Sequence, residues 1–287
     1  RYTRAFDKND HERFQAYKAA LKKGETTVNA AVLFPHDCVR TALHGDNAIA
    51  DAQFEALPNY LEDTDEKIMV ICDTSGSMRS IVGGSVEAIH VSQGMALYCS
   101  AKMPSDSPFY KRFIGFCSEG KFVDWRKYSF SQAVKSRKVF DRAIGSTHID
   151  KALDLILNIA VQRDIPQNLM PTTLLIVSDM QFAEGTGSGG GWYSKGRLSS
   201  EEETLIEIHK AMNKWNNAGY ETPKIVYWNT AGYQGSQETV NSNNVGLVSG
   251  FSPSICKAIF GGEDFSPYSI MLKAIEKYEI VVPRRND

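Results

Sequence analysis

Three short segments of the chain are apolar almost without interruption: IMVIC (Ile68 to Cys72), TTLLIVS (Thr172 to Ser178) and PKIVYW (Pro223 to Trp228). Runs that are continuous rather than alternating are expected of strands buried on both faces. Between them lie stretches of helical length, Ser85 to Met103, Ile149 to Val161 and Ser200 to Gly219, the last with an acidic first turn and a glycine stop. FYKRFIGFC and KFVDW, joined by SEG, predict an antiparallel hairpin at the sheet edge. NVGLVSG predicts a last strand and SPYSIMLKAIEKY a closing helix. Strands alternating with helices give a three-layer α/β domain with a mostly parallel central sheet and an antiparallel edge strand.

Residues 1–65 differ in character, being polar and helical in pattern. Asn9 or Asp10 caps a helix that ends at Lys22, Lys23 and Gly24. Pro35 suits the first turn of a second helix running toward His44, and a third segment is interrupted by Pro58. AAVLF (Ala30 to Phe34) is too apolar to stand in water, so this arm is expected to pack on the strands and helices C-terminal to it. The reading is a helical arm over 1–65 and an α/β domain over 66–287. Because the chain opens on Arg1 rather than Met, the arm is read as the end of a longer helical region.

Composition narrows the partners only slightly. With 42% apolar residues and 32 basic against 34 acidic side chains, the 287-residue chain has neither the charge excess of a tail nor the polarity of a disordered segment. Five widely spaced cysteines (Cys38, Cys72, Cys99, Cys117 and Cys256) contain no CxxC pair and fit free buried thiols, hence a reducing, cytoplasmic setting. No apolar run reaches the length of a membrane span, so no membrane partner is expected.

The chemistry gathers at the strand ends. In open α/β sheets ligands bind outside the carboxyl ends of the strands, where the strand order reverses. The first apolar run ends in Asp73, Ser75 and Ser77, the second in Ser178 and Asp179, and the third in Asn229. The turn GSTHID before the Ile149 helix adds Thr147. Carboxylates and hydroxyls without thiolate or clustered imidazole suit a hard cation, Mg²⁺ or Mn²⁺, held at about 2.1 Å. A polar turn that merely caps the next helix would explain one of these segments but not three.

This pattern resembles the metal-ion-dependent adhesion site of von Willebrand factor A domains, whose D-x-S-x-S motif is matched by Asp73, Ser75 and Ser77. The family's later threonine and aspartate match Thr147 and Asp179. The resemblance covers about 65 to 278 and implies a Rossmann-like fold. It also implies a metal bound directly by hydroxyls, with the aspartates acting largely through water. Within the family, VNAAVLFPHD, VSDMQF, IVYWN and VSGFS resemble the Ro (TROVE) type and a poorly characterised relative with a preceding helical region. Ro-like proteins join such a domain to a ring of helical repeats that binds RNA. Only the last helices of such a region fit in residues 1–65, so ring-based RNA binding does not carry over.

Other readings fit less well. Gly185, Gly187 and Gly190 spell G-x-G-x-x-G but neither follow a strand directly nor open a helix, so no nucleotide cofactor is expected. A metal-dependent phosphohydrolase with Asp73 as nucleophile would ordinarily place a second carboxylate where Ser75 stands. His36, Asp37 and Cys38 could supply a base and a nucleophile, yet adjacent residues diverge in any regular element, and a helix N-terminal turn is the simpler account. Lys121, Arg126, Lys127, Lys135, Arg137, Lys138 and Arg142 form a basic segment that could meet nucleic-acid phosphates or simply be solvated. His148 and Asn229 are candidate rim residues. Two functions remain open: a non-enzymatic module that grips an acidic protein through a metal, and a ribonucleoprotein component that meets small RNA at the metal and the basic segment.

Overall fold

The computed structural model describes residues 2–62, 64–116, 120–140, 149–179, 200–230 and 245–250. The arm comprises α1 (Tyr2–Asn9), α2 (His11–Lys23), α3 (Pro35–His44) and α4 (Asn47–Glu55). Helix α2 stops where Gly24 takes the left-handed conformation at φ 72°, allowing its N–H to reach the carbonyls of Ala20 and Leu21. Asp46 caps α4, its carboxylate accepting from the N–H groups of Ala48 and Ile49.

The α/β domain contains β1 (Ile68–Asp73), a small hairpin of β2 (Ile81–Gly83) and β3 (Val86–Glu87), α5 (Ala88–Lys102), β4 (Arg112–Phe116), β5 (Lys121–Asp124) and α6 (Phe130–Lys135). It continues with α7 (Ile149–Gln162), β6 (Thr173–Ser178), α8 (Ser200–Asn217), β7 (Lys224–Asn229) and β8 (Val245–Ser249). The hairpin was not expected: it occupies the segment read as the start of the long helix, so α5 begins at Ala88 rather than Ser85. Two glycines at Gly83 and Gly84, the latter at φ 57°, make the reversal. The closing helix expected over SPYSIMLKAIEKY lies outside the described residues.

Among the described residues the sheet has six strands in the order β5-β4-β1-β6-β7-β8, parallel except where β5 runs antiparallel to β4. This is the doubly wound, Rossmann-like arrangement anticipated from the alternation of strands and helices. Strand parity sorts the core into two layers. Ile68, Val70, Cys72, Leu175, Val177, Val226 and Trp228 face one way, into a core shared with α5, α6 and the arm residues Cys38, Val39, Ala42, Phe54 and Leu57. Met69, Ile71, Leu174, Ile176, Ile225 and Tyr227 face the other way, against α7 and α8. The continuous apolar runs are therefore strands covered on both sides.

The buried tryptophans in these cores have their polar edges satisfied. The indole N–H groups of Trp125, Trp215 and Trp228 donate to Ser100 Oγ, the Leu153 carbonyl and the Gly250 carbonyl at 3.0, 3.2 and 2.8 Å. The arm is fastened to α5 in the same way: Tyr98 donates its hydroxyl to the Pro58 carbonyl at 2.6 Å and accepts from the Tyr60 N–H at 2.9 Å. Gly94 permits α3 to cross α5 closely, for a Cβ there would stand 2.8 Å from both the His36 nitrogen and the Pro35 carbonyl carbon. Among the described residues no helix is long and apolar enough to cross a membrane.

Candidate functional site

The sheet register gathers the candidate residues. Cys72 pairs with Val177, Ser178 with Asn229, and Asn229 with Ser249, so Asp73, Ser178, Asn229 and Ser249 form one row across the carboxyl ends of four parallel strands. Strand order reverses between β1 and β6, and Asp73 and Ser178 stand on either side of that reversal. A short 3₁₀ turn over Gly76–Arg79 carries the chain away from β1 and brings Ser75 and Ser77 back over its end.

Within this row the contacts are short. Ser178 donates its hydroxyl to Asp73 Oδ2 at 2.6 Å, and the Ser75 N–H donates to Asp73 Oδ1 at 2.8 Å. The Ser75 and Ser77 hydroxyl oxygens lie 3.0 Å apart. Asp73 and Asp179 are 4% and 1% exposed, which places two carboxyl groups out of water at neighbouring strand ends. Burial pushes the Asp73 carboxyl above its usual range, hydrogen bonds from Ser178 and Ser75 oppose that shift, and the charge of Asp179 reinforces it. Among the described residues no lysine or arginine enters this balance.

The donor set tests what the site could hold. Two buried carboxylates and two half-buried hydroxyls, with Ser178 and Asn229 beside them, are hard oxygen donors. Among the described residues no group of three His, Cys, Asp or Glu side chains converges, so a cation here would draw the rest of its shell from hydroxyls and water. The residues fit Mg²⁺ or Mn²⁺ and do not fit a soft metal. Thr147 and His148 lie outside the described residues, as does Arg142.

The other candidates fall elsewhere in the fold. Cys38 is fully buried with its thiol pushed up to about 12, first by burial and then by the Asp37 charge. It is no nucleophile at neutral pH. Asp37 Oδ2 instead accepts the Phe34 N–H at 3.1 Å, and the His36 ring stacks on Phe34 at 5.8 Å, as a helix N-terminus would have it. The basic run does not form one face. Lys121 pairs with Gly115 near the site end of the sheet edge, whereas Asp124 pairs with Arg112 about 10 Å away along the strand. There Arg126 and Arg112 both bind Asp124, at 2.6 and 3.2 Å. Lys127, Lys135, Arg137 and Lys138 are exposed on and around α6, and Lys135 donates to Asn47 Oδ1 at 2.6 Å.

Sequence reasoning placed Ser178 at an oxygen-bearing strand end but did not make it the partner that holds Asp73. Its place at the end of an apolar run was the available signal. It also missed a cavity of about 250 Å³ beside Thr74, whose walls come from distant segments and leave no local pattern.

Comparison with known proteins adds a family without an assigned activity. The profile of a domain of unknown function, DUF7788, matches residues 67–280. An uncharacterized protein of Acanthamoeba polyphaga mimivirus is 28% identical over 281 residues, covering 95% of this chain and 45% of that protein. Among solved structures, the crystal structure of the Ro (RSR) protein of Deinococcus radiodurans superposes with a TM-score of 0.47 at 17% identity, over 89% of this chain and 49% of that one. The chain thus spans about half the length of the relatives it matches.

Proposed function

The chain belongs to the DUF7788 family, and we propose that it is a non-enzymatic binding module of von Willebrand A type that captures an anionic group through a Mg²⁺-type adhesion site. The observation that carries this is the burial of Asp73 and Asp179 at adjacent strand ends, with hydroxyls rather than cationic side chains around Asp73 among the described residues. In this reading Ser75, Ser77 and Thr147 would hold the cation directly, and Asp73 and Asp179 would act through water. When bound, the metal supplies a coordination position for a carboxylate or phosphate oxygen. Ser178 keeps Asp73 oriented, and the Ser75 N–H locks the loop against the same carboxylate.

Turnover is not expected of this site. Hydrolysis needs a group that activates water or receives a leaving proton. The described residues at the strand ends offer hydroxyls, an amide and two carboxylates that the metal would occupy.

The test is binding of an acidic peptide and of small RNAs in Mg²⁺ and in EDTA, with wild type and Asp73→Ala, beside a phosphatase and nuclease screen. The expected result is binding in Mg²⁺ that is lost in EDTA and in the variant, with no turnover. Metal-dependent turnover that vanishes in Asp73→Ala, or binding indifferent to EDTA, overturns the proposal. A second reading, a component that meets small RNA, draws on the exposed Lys121 at the site end of the edge strand and on Arg137 in the wall of the cavity beside Thr74. RNA contact would weaken steeply with salt, whereas one bridge from metal to carboxylate would respond mainly to chelator.

A further inference from the structure

Next to the strand-end site, the cavity of about 250 Å³ opens where the arm meets the α/β domain. Its walls come from the end of α3, the loop after β1, the first turns of α5 and the end of α6. Two imidazoles, two guanidinium groups and an ammonium line it, from His44, His90, Arg79, Arg137 and Lys135, with the Gln93 amide beside them. Among the described residues the one acidic side chain in its wall is Glu87, and Ile89, Val134 and Phe140 supply apolar surface. Arg79 and Arg137 are exposed, so their guanidinium groups can meet a ligand entering from solvent, whereas the exposed Lys135 ammonium also donates to Asn47 Oδ1.

The tautomer of His90 fits a donor-rich wall. The Glu87 N–H donates to its Nδ1 at 3.2 Å, so the neutral ring carries its proton on Nε2. Burial holds this imidazole below its ordinary titration range against the pull of Glu87, and the charges of Arg40 and His44 add to the depression. Fixed positive charge from Arg79, Lys135 and Arg137, far apart in the chain, is concentrated where the arm joins the domain.

We infer that this cavity is a metal-independent site for a small organic phosphomonoester, with Arg79 and Arg137 gripping the phosphate and Ile89, Val134 and Phe140 receiving the body of the molecule. Two guanidinium groups and an ammonium against one carboxylate suit a dianion with three terminal oxygens better than a single carboxylate, because planar guanidinium forks engage phosphate oxygens in pairs. The volume lies just below the ~300–1,000 Å³ usual for drug-sized ligands, which favours a compact molecule over a polymer segment. The site goes beyond the proposed metal function and does not depend on it.

The experiment uses the full chain in EDTA and follows the His90 ring resonances by NMR while titrating phenyl phosphate, adenosine monophosphate, inorganic phosphate and benzoate. The expected result is saturable binding of both organic phosphates, tighter than inorganic phosphate and than benzoate, with a shift at His90. Arg79→Ala and Arg137→Ala, both changes at exposed positions, should each weaken binding about tenfold. Absence of saturable binding, equal affinity for benzoate, or affinity unchanged in both variants overturns the inference. Phosphate binding that appears only with Mg²⁺ also overturns it while leaving the metal reading intact.

Discussion

Asp73 is, without a metal, a burden on the fold at neutral pH. Its native carboxyl binds a proton more tightly than the unfolded one, so this group's contribution to stability falls as pH rises above about 3.8. An asparagine there keeps one oxygen to accept the Ser75 N–H and turns an amide toward Ser178, whose hydroxyl can accept as readily as donate. In EDTA at neutral pH, Asp73→Asn should therefore melt at or above wild type, by up to about 2–4 °C. In millimolar Mg²⁺ the order should reverse, because only wild type gains from the ion. A variant that melts several degrees lower in EDTA would contradict this account of the carboxylate. The positions of Asp73, Ser178 and Asn229 were legible in the sequence because each closes a continuous apolar run, and parallel register carries such ends into one row. The hydrogen bond that makes Ser178 the support of Asp73 spans 105 positions and has no local signature.

The arm depends on α5, and that dependence can be measured in two ways. Gly94→Ala would drive a methyl into the backbone of α3 at His36 and Pro35, and should cost about 1–3 kcal/mol while exposing the arm to limited proteolysis. Unchanged melting and proteolysis would show that the helices do not cross as closely as described. The second measure is pH. His36 and His90 are buried at this crossing, 9% and 5% exposed, and burial lowers both below 6.5. For His36 the Asp37 charge opposes that shift, and the charges of Arg40 and His90 add to it. The unfolded chain then binds more protons, so the stability these rings contribute is present above pH 6.5 and is lost as pH falls below it. Between pH 7.5 and 5.5 wild type should lose about 2–4 °C more than His90→Gln, whose amide oxygen can still accept the Glu87 N–H. Equal losses would remove His90 as the cause. The main strands and helices were readable because burial on two faces and capping residues are written locally. The β2–β3 hairpin was not, since Val86 and Ala88 continue the apolar pattern of α5 and only the Gly83–Gly84 pair marks the break.

At the scale of the whole molecule, a doubly wound sheet places its switch point over two buried carboxylates, and a helical arm closes a basic cavity beside them. The basic run from Lys121 onward looked continuous in sequence, but strand direction carries Lys121 toward the site and Arg126 to the far end of the hairpin, where Asp124 takes it up. Chain proximity fails there because an antiparallel hairpin separates residues that are few in number but extended in space. Strand order itself was predictable only as a class, while the central claim is one of chemistry at the reversal point. Calorimetric titration of Mg²⁺ into chelator-treated wild type and Asp73→Ala tests it most directly. The account predicts one saturable site in wild type and its loss in Asp73→Ala; no binding to wild type, or equal affinity in the two proteins, would contradict it.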